Sequence, residues 1–288
     1  MVGSTPTVQH DPSTVAAISA DLREAGRRVA LVPTMGALHE GHLALVEHAR
    51  ADHDDIIVSI FVNPLQFGAG EDFDRYPRTL ESDVRLLSEV GVELVFAPSA
   101  AAMYPDGRRT TLVPGPAGAD LDAVTRPALW TGMLTVVAKL LQITRPTSAF
   151  FGEKDFQQLV LIQQMVRDLN FDIDIVGVPT VREHDGLAMS SRNRFLSAAE
   201  RKTAAVLSTA LMDGVRAQRD GVDAILKAAG AVLDAVVEID VEYLEVRDDE
   251  LGPAPDAGPA RLLVAGRVGS TRLTDNMALK IGERERGE

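Results

Sequence analysis

The chain has 288 residues, a formal net charge of −13 at pH 7 and no cysteine. This length suits one large domain or two modest ones, and 45% hydrophobic with 25% charged residues is typical of a globular protein. The lack of cysteine excludes disulfides, thiolate metal sites and cysteine nucleophiles. The negative charge argues against a nucleic-acid partner, because binding to a phosphate backbone depends on clustered lysines and arginines.

Apolar segments of the sequence are too short for a membrane span, which needs about 18 or more consecutive residues. The longest candidate, residues 132–143, is interrupted by Lys139. Residues 1–11 lack the basic and apolar segments of a secretory signal. We therefore expect a cytoplasmic protein with no membrane partner.

Short β-branched segments alternate with helical ones over the first two-thirds of the chain. The predicted strands are residues 29–32, 56–62, 93–96, 148–151 and 173–178, and the predicted helices are residues 41–50, 80–90, 132–143 and 155–169. Such alternation predicts right-handed βαβ units and a parallel sheet covered by helices on both faces. The predicted fold is a doubly wound, Rossmann-like α/β domain.

The pattern changes after about residue 183. Ser197 and Glu200 have the spacing of a capping box, which predicts the start of an Ala-rich helix that continues to about residue 218. A second helix at 222–236 and strands at 240–246, 261–268 and 271–279 follow, with a Pro/Gly-rich loop at 252–259. We therefore predict two domains, the Rossmann-like one over residues 1–183 and a smaller α+β domain over residues 184–288.

The strongest chemical signal is the segment directly after the first predicted strand, which reads PTMGALHEGH over residues 33–42. In a doubly wound sheet, this first turn presents backbone N–H groups and a helix N-terminus to a ligand. His39 and His42 are three residues apart and lie on one side of the helix, and Gly41 lets a phosphate approach the backbone closely. Two imidazoles in this place can stabilise charge that develops on a phosphate.

Two other interpretations of these histidines are open. A zinc site of the H-E-x-x-H type needs its second histidine one position further along the helix than His42. The histidines could also be ordinary surface or core residues. The setting of strand, glycine turn and helix favours phosphate chemistry over both.

Two later segments also suit phosphate binding. Residues 152–155 follow a predicted buried strand, and Lys154 supplies a compact positive charge for triphosphate oxygens, unless it is only an exposed lysine at a helix start. Asp155 could cap that helix or contact a ribose or Mg²⁺. Residues 189–192 bring two hydroxyls and a guanidinium to a polar loop, which suits β- and γ-phosphates but also describes a solvated linker.

These motifs closely resemble those of the pantothenate synthetase family, within the H-x-G-H nucleotidyltransferase superfamily. Beyond PTMGALHEGH, the resemblance runs through VSIFVNPLQF, RYPRTL, FFGEKDFQQL, VPTVRE and DGLAMSSRNRFL in the family's order and spacing, and less specifically through VEYLEVRD. It implies an ATP-dependent condensation of pantoate with β-alanine through pantoyl-adenylate, with release of pyrophosphate and AMP. It also implies Mg²⁺ on the ATP phosphates and a homodimer.

The resemblance assigns roles to individual residues. It predicts His39, His42 and Lys154 as catalytic residues, and Asp83, in the acidic stretch after RYPRTL, is the candidate for holding Mg²⁺ or its water shell. The predicted ATP-binding residues are Met35, Gly36, Ala37, Leu38, His39, Glu40, Gly41, His42, Gly152, Glu153, Lys154, Asp155, Val181 and, in the superfamily's mobile loop, Met189, Ser190, Ser191 and Arg192. The predicted residues for pantoate and β-alanine are Pro33, Asn63, Gln66 and Gln158. Neutral amides suit this task because they orient a carboxylate without the bidentate salt bridge that would reduce its nucleophilicity.

One position departs from the family pattern. Residues 126–133 read RPALWTGM, where relatives usually carry histidine at Leu129 and phenylalanine at Trp130. The change removes an expected polar contact to the nucleotide or the intermediate and predicts slower but measurable turnover. The sequence leaves two alternatives open: an adenylyltransferase for another small acid, and a nucleotide-binding protein with reduced turnover.

Overall fold

The computed structural model describes residues 5–68 and 73–282. Two compact units are found within these residues. The first contains the described residues up to 153 together with residues 161–179, and the second contains residues 154–160 and the described residues from 180 onward. The units are defined by contacts, and the domain boundary at residue 183 stays a prediction.

The described part of the first unit contains a parallel sheet of six strands in the order β1-β4-β3-β2-β5-β6. The strands are β1 (Thr7–Gln9), β2 (Val29–Thr34), β3 (Asp55–Ile60), β4 (Leu94–Phe96), β5 (Ser148–Gly152) and β6 (Asp174–Val178). The helices are α1 (Pro12–Glu24), α2 (Glu40–Arg50), α3 (Leu80–Glu89), α4 (Ala100–Met103), α5 (Asp122–Thr125), α6 (Leu129–Thr144) and α7 (Phe156–Asp168), whose first five residues group with the second unit. The predicted doubly wound α/β fold is confirmed.

The central strand β2 pairs with β3 on one side and β5 on the other. Its residues Val29, Ala30, Leu31 and Val32 are fully buried, which explains why the sequence shows an apolar run without polar alternation. The strand order reverses at β2, and ligands of doubly wound sheets bind at the carboxyl end of such a switch point. The PTMGALHEGH segment leaves the sheet at that end.

Two elements near the N-terminus, β1 and α1, were not predicted. Strand β1 pairs with β4 in parallel, although it has only three residues. Helix α1 begins after Asp11, whose side chain accepts a hydrogen bond from the N–H of Thr14 at 2.8 Å. Asp11 followed by Pro12 is a recognisable helix-start signal, so α1 was predictable from local sequence.

The second unit combines helices with an antiparallel sheet whose strand order is β7-β8-β9. Its elements are α8 (Ala198–Arg216), α9 (Val222–Asp234), β7 (Ile239–Arg247), β8 (Gly258–Val268) and β9 (Thr271–Ile281). The capping box predicted for α8 is confirmed, because Ser197 accepts from the N–H of Glu200 while Glu200 accepts from the N–H of Ser197. A separate apolar core, with Leu207, Leu211 and Leu262 fully buried, holds these helices on the sheet.

None of the helices within the described residues combines the length and the apolar character that crossing a membrane requires.

Candidate active site

The turn after β2 favours a glycine at its first bend. Gly36 has a φ of +81°, and the next residue, Ala37, has a φ of 51°. A Cβ atom on Gly36 would lie 3.1 Å from both Asp83 Oδ2 and Ile60 Cγ2. The backbone therefore passes close to a carboxylate, in a conformation that side chains rarely adopt.

That carboxylate, Asp83 at the start of α3, fixes the turn. The side chain of Asp83 is 2% exposed and accepts hydrogen bonds from the N–H groups of Ala37 at 3.1 Å and Leu38 at 2.9 Å. The hydroxyl of Thr79 donates to the same carboxylate at 3.1 Å. These contacts give Asp83 a positioning role that the sequence did not suggest.

The contacts of Asp83 also bear on the fit of a resident metal ion. Both of its oxygens already accept from the protein. The described ranges 5–68 and 73–282 contain no group of three or more His, Asp or Glu side chains that could hold a metal ion. Mg²⁺ ligation by Asp83 stays a prediction, which these contacts do not favour.

The two histidines lie together at the start of α2. His39 is the N-cap residue, and its backbone N–H donates to Nδ1 of His42 at 3.3 Å. The ring centroids are 4.1 Å apart. Since Nδ1 of His42 accepts, the geometry assigns the proton of the neutral ring to Nε2, so that Nε2–H is the donor of this side chain.

A buried amide, Asn63, organises the turn after β3. Asn63 is 1% exposed, and its Nδ2 donates to the carbonyl of Gly132 and to Oε1 of Gln66, both at 3.1 Å. Its Oδ1 accepts from the hydroxyl of Tyr104 at 3.0 Å and from the N–H of Leu65 at 3.3 Å. The side chain is fully engaged, so Asn63 serves to hold its neighbours in place.

Gln66 is oriented by these contacts. Its Oε1 faces Asn63, and its Nε2 lies 3.1 Å from the sulfur of Met35 in the turn after β2. The amide thus links two of the predicted substrate-binding turns. Gly132 makes the arrangement possible, because a Cβ there would lie 2.0 Å from the carbonyl oxygen of Leu65.

Tyr104 completes this group, although no sequence motif pointed to it. The hydroxyl of Tyr104 donates to Asn63, and burial raises the pKa of Tyr104 to about 12. Lys139 lies over the tyrosine ring, 5.8 Å from its centroid. Tyr104 lies 41 residues from Asn63 in the chain, a separation that local patterns do not encode.

In the second unit, Lys154 lies in a 3₁₀ turn, Glu153–Asp155, directly before α7. Its ammonium is 3.2 Å from Oδ1 of Asp155, and the side chains of Lys154 and Asp155 are 20% and 56% exposed. This pair reaches solvent and contributes little to stability, and its cation is accessible to a ligand. Gln158 lies one turn further on, in the part of α7 that groups with the second unit.

The predicted phosphate loop at residues 189–192 also belongs to the second unit. Met189 donates its N–H to the carbonyl of Val181 at 3.0 Å, so these two predicted nucleotide-binding residues are neighbours. Ser190 caps the 3₁₀ helix Ser191–Phe195 by accepting from the N–H of Arg192 at 3.3 Å.

A partly buried polar cluster holds the ends of this loop. Asn193 is 9% exposed and donates to Oε1 of Glu183 at 2.7 Å and to the carbonyl of Ala188 at 3.1 Å. Arg201 donates to the other oxygen of Glu183 at 2.5 Å. Burial opposes ionisation of Glu183, but the hydrogen bonds from Arg201 and Asn193 outweigh it and leave its pKa below the usual value. Glu183 therefore remains a carboxylate that fastens the loop.

The predicted residues thus fall into two groups. Met35 to His42, Asn63 and Gln66 meet within the first unit, where Asp83 and Tyr104 support them. Lys154, Gln158, Val181 and residues 189–192 belong to the second unit. Pro33 lies in β2 opposite Ser59 of β3, and Leu129 is the first residue of α6.

Comparison with known proteins gives a consistent result. The profile of the family described as pantoate-beta-alanine ligase matches residues 7–278. A pantothenate synthetase from Nocardia farcinica is 63% identical over 276 residues, which cover 96% of this chain and 87% of the relative.

Two solved structures are also similar. The pantothenate synthetase of Thermus thermophilus superposes with a TM-score of 0.89 at 46% identity, covering 94% of this chain and 98% of that one. A pantoate-beta-alanine ligase from Francisella tularensis, crystallised with beta-gamma ATP and β-alanine, gives a TM-score of 0.80 at 32% identity, covering 94% and 97% of the two chains.

Proposed function

The chain belongs to the pantoate–β-alanine ligase family, and we propose that it condenses pantoate with β-alanine in two ATP-dependent steps. The observation that carries the proposal is the glycine turn after β2, which Asp83 holds by two backbone N–H groups directly before His39 and His42. The bound nucleotide and β-alanine of the Francisella tularensis enzyme agree with two of the three proposed substrates.

In the first step, a carboxylate oxygen of pantoate attacks the α-phosphorus of ATP. The bond from that phosphorus to the bridging oxygen breaks, and pyrophosphate leaves with the electron pair. Negative charge grows on the bridging oxygen and on the α-phosphate, and preorganised donors lower the energy of that state. We assign the Nε2–H of His42 and the ammonium of Lys154 to these charges, with His39 beside them at the helix N-terminus.

In the second step, the neutral amine of β-alanine attacks the acyl carbon of pantoyl-adenylate. The C–O bond to AMP breaks, the amide bond of pantothenate forms, and the amine releases one proton. No protein nucleophile is needed, in keeping with a chain that has no cysteine. The protein contributes position and charge stabilisation.

Pantoate recognition is assigned to Gln66 and Gln158, with Asn63 and Pro33 beside them. The contacts of Gln66 to Asn63 and Met35 hold its amide in one orientation, ready to bind a substrate carboxylate or hydroxyl. A neutral amide stabilises the attacking carboxylate less than an arginine guanidinium would. The carboxylate therefore keeps more of its nucleophilicity.

The ATP phosphates are assigned to the backbone of residues 35–42 and 152–155, and to the loop at 189–192, with Val181 against the nucleotide. Mg²⁺ is proposed as part of the substrate MgATP, since this ion usually keeps several waters and binds through substrate phosphates.

A homodimer, a cytoplasmic location and the absence of nucleic-acid and membrane partners stay predictions. Sedimentation analysis of the purified chain would test the dimer.

The assignment of pantoate is tested by measuring pyrophosphate release with ATP and pantoate before β-alanine is added. We expect release of about one equivalent of pyrophosphate per active site, followed by pantothenate formation when β-alanine is added. A need for a different acid would identify an adenylyltransferase of another specificity. Nucleotide binding without any release would identify a binding protein.

Tyr104→Phe is expected to weaken pantoate binding more than it slows the chemistry. The change removes the donor that orients Asn63 and, through it, Gln66. Loss of one such hydrogen bond corresponds to about a 2- to 10-fold rise in KM for pantoate, with kcat changing less. Steady-state kinetics at varied pantoate would measure both constants, with Tyr243→Phe in the second unit as the control. An unchanged KM would show that Tyr104 does not position Gln66 for pantoate.

Leu129→His is expected to raise kcat/KM, because the family pattern places a histidine donor at this position. One hydrogen bond to a charged group corresponds to a gain of about 10- to 150-fold. The site is confined, since Leu129 is 7% exposed and its neighbour Trp130 is 4% exposed. Leu129→Met is the matched control, because it keeps an apolar side chain of similar volume and should bring no gain. A folded histidine variant that binds ATP but turns over more slowly would show that the pocket is adapted to leucine.

A further inference from the structure

A buried amide in the second unit reaches the backbone of Lys154. Asn276 lies in β9, is 4% exposed, and donates Nδ2 to the carbonyl oxygen of Lys154 at 2.9 Å. Its Oδ1 accepts from Nη1 of Arg261 at 2.9 Å. A guanidinium cannot accept a hydrogen bond, so Arg261 forces the oxygen of the amide toward itself and the nitrogen toward Lys154.

Arg261 also holds the same segment at a second point. Its guanidinium carbon lies 3.9 Å from the centroid of the Phe156 ring, two residues after Lys154. A guanidinium stacked on an aromatic face is both attracted to the ring and restricted in its rotation. The segment from Lys154 to Phe156 is thus fixed through one carbonyl and one ring.

The backbone of Asn276 is itself anchored. Asp275 is 4% exposed, accepts from the N–H of Asn276 at 2.7 Å, and forms a two-pronged ion pair with Arg182 at 2.7 and 3.0 Å. Arg182 donates further to the carbonyl of Asn276 at 3.3 Å. Because Arg182 directly follows Val181, the same network holds the segment that pairs with Met189 of the phosphate loop.

We propose that Asn276 is a positioning residue for adenylate formation, which it serves by fixing the backbone of Lys154. The inference rests on the proposed function, in which the Lys154 ammonium binds the triphosphate. A lysine side chain is long and flexible, and its ammonium explores a still larger volume when the backbone that carries it also moves. Fixing the carbonyl of Lys154 removes that second source of movement. Misplacement of a charge-stabilising group by about 1 Å can cost roughly 100-fold in rate.

Asn276→Asp is the variant that isolates this contact. Aspartate keeps an oxygen for Arg261 but replaces the donor to Lys154 with an oxygen that repels the carbonyl. We expect the single-turnover rate of pyrophosphate formation to fall about 10- to 100-fold. The capture of preformed pantoyl-adenylate by β-alanine should change less than about 3-fold, because pyrophosphate has already left.

Two further variants separate positioning from loss of stability. Asn276→Ala removes the donor without burying a new charge and should slow the same step. It provides the test if Asn276→Asp does not fold. Val264→Ala removes a fully buried side chain from the same sheet and should lower the thermal midpoint without slowing adenylation of the folded protein. Equal loss in Val264→Ala and Asn276→Ala would overturn the proposal.

A double-mutant cycle with Lys154→Ala tests whether Asn276 acts through Lys154. Adding Asn276→Asp to Lys154→Ala should lower the rate by no more than about 2-fold. If Lys154→Ala is impaired and the two effects multiply, the inference about Asn276 is wrong while the proposed function stands. If Lys154→Ala forms adenylate at the normal rate, the assignment of Lys154 fails and the inference fails with it.

Discussion

His42→Ala should slow pantoyl-adenylate formation by about 10²- to 10⁴-fold in a chain that still folds. The ring lies in the first turn of α2, and the N–H of His39 holds its Nδ1 at 3.3 Å. This contact fixes the direction of Nε2–H, which is the donor proposed for the phosphate. Alanine keeps the helix but removes a donor whose orientation is set before the substrate binds.

The measurement is single-turnover release of pyrophosphate with ATP and pantoate, at enzyme concentrations above that of pantoate. His48→Ala is the matched control, because His48 lies on the same helix, is exposed, and places its ring Nδ1 against the carbonyl of Ala44 in the preceding turn. Thermal unfolding would confirm that both variants fold. Pyrophosphate release by His42→Ala within a factor of about 3 of the unmodified chain would contradict the assignment.

The fold was predictable where the sequence carries a periodic or capping signal. Strand β2 begins with four buried apolar residues and leads into a glycine turn, and α8 begins at a capping box, so both starts were found. The predicted strand at 56–62 ends earlier, at Ile60, because the chain turns into the 3₁₀ helix Pro64–Gln66. Strand β1 was missed because three residues are too few to show a period.

The candidate site was predictable as motifs but not as contacts. The sequence identified the histidine turn, yet the support of that turn by Asp83 comes from a side chain 46 residues away from Ala37. The hydrogen bond from Asn276 to Lys154 spans 122 residues. Periodicity describes which face of an element is buried, but it contains nothing about which distant side chain meets a given carbonyl. The supporting residues therefore became visible only in the folded chain.

Asp83 illustrates the same limit in chemical terms. An acidic residue in the stretch after RYPRTL suggests a metal ligand, since carboxylate oxygens are what Mg²⁺ prefers. In the folded chain, however, the carboxylate faces two backbone N–H groups of the turn and the hydroxyl of Thr79. A buried carboxylate with three donors is well satisfied without a cation. The residue type was informative, but its partners decide what it does.

Lys154→Ala is expected to slow adenylate formation by about 10²- to 10³-fold, the cost of removing one donor from a charged transition state. The ammonium is accessible and pairs with the more exposed Asp155 at 3.2 Å, so it can transfer to a triphosphate at little cost to the fold. The second step should be much less affected, because the pyrophosphate that Lys154 is proposed to bind has left by then. The two steps are therefore expected to respond differently to one substitution.

Preformed pantoyl-adenylate supplied with β-alanine isolates the second step from the first. We expect the capture rate of Lys154→Ala to lie within about 3-fold of that of the unmodified chain. Lys227→Ala, which removes an exposed lysine from α9 of the same unit, is the control for a general loss of positive charge. Equal slowing of both steps in Lys154→Ala would mean that the lysine contacts the adenylate or the acyl group. In that case another residue would bind the leaving pyrophosphate, and Arg192 would be the next residue to test by substitution.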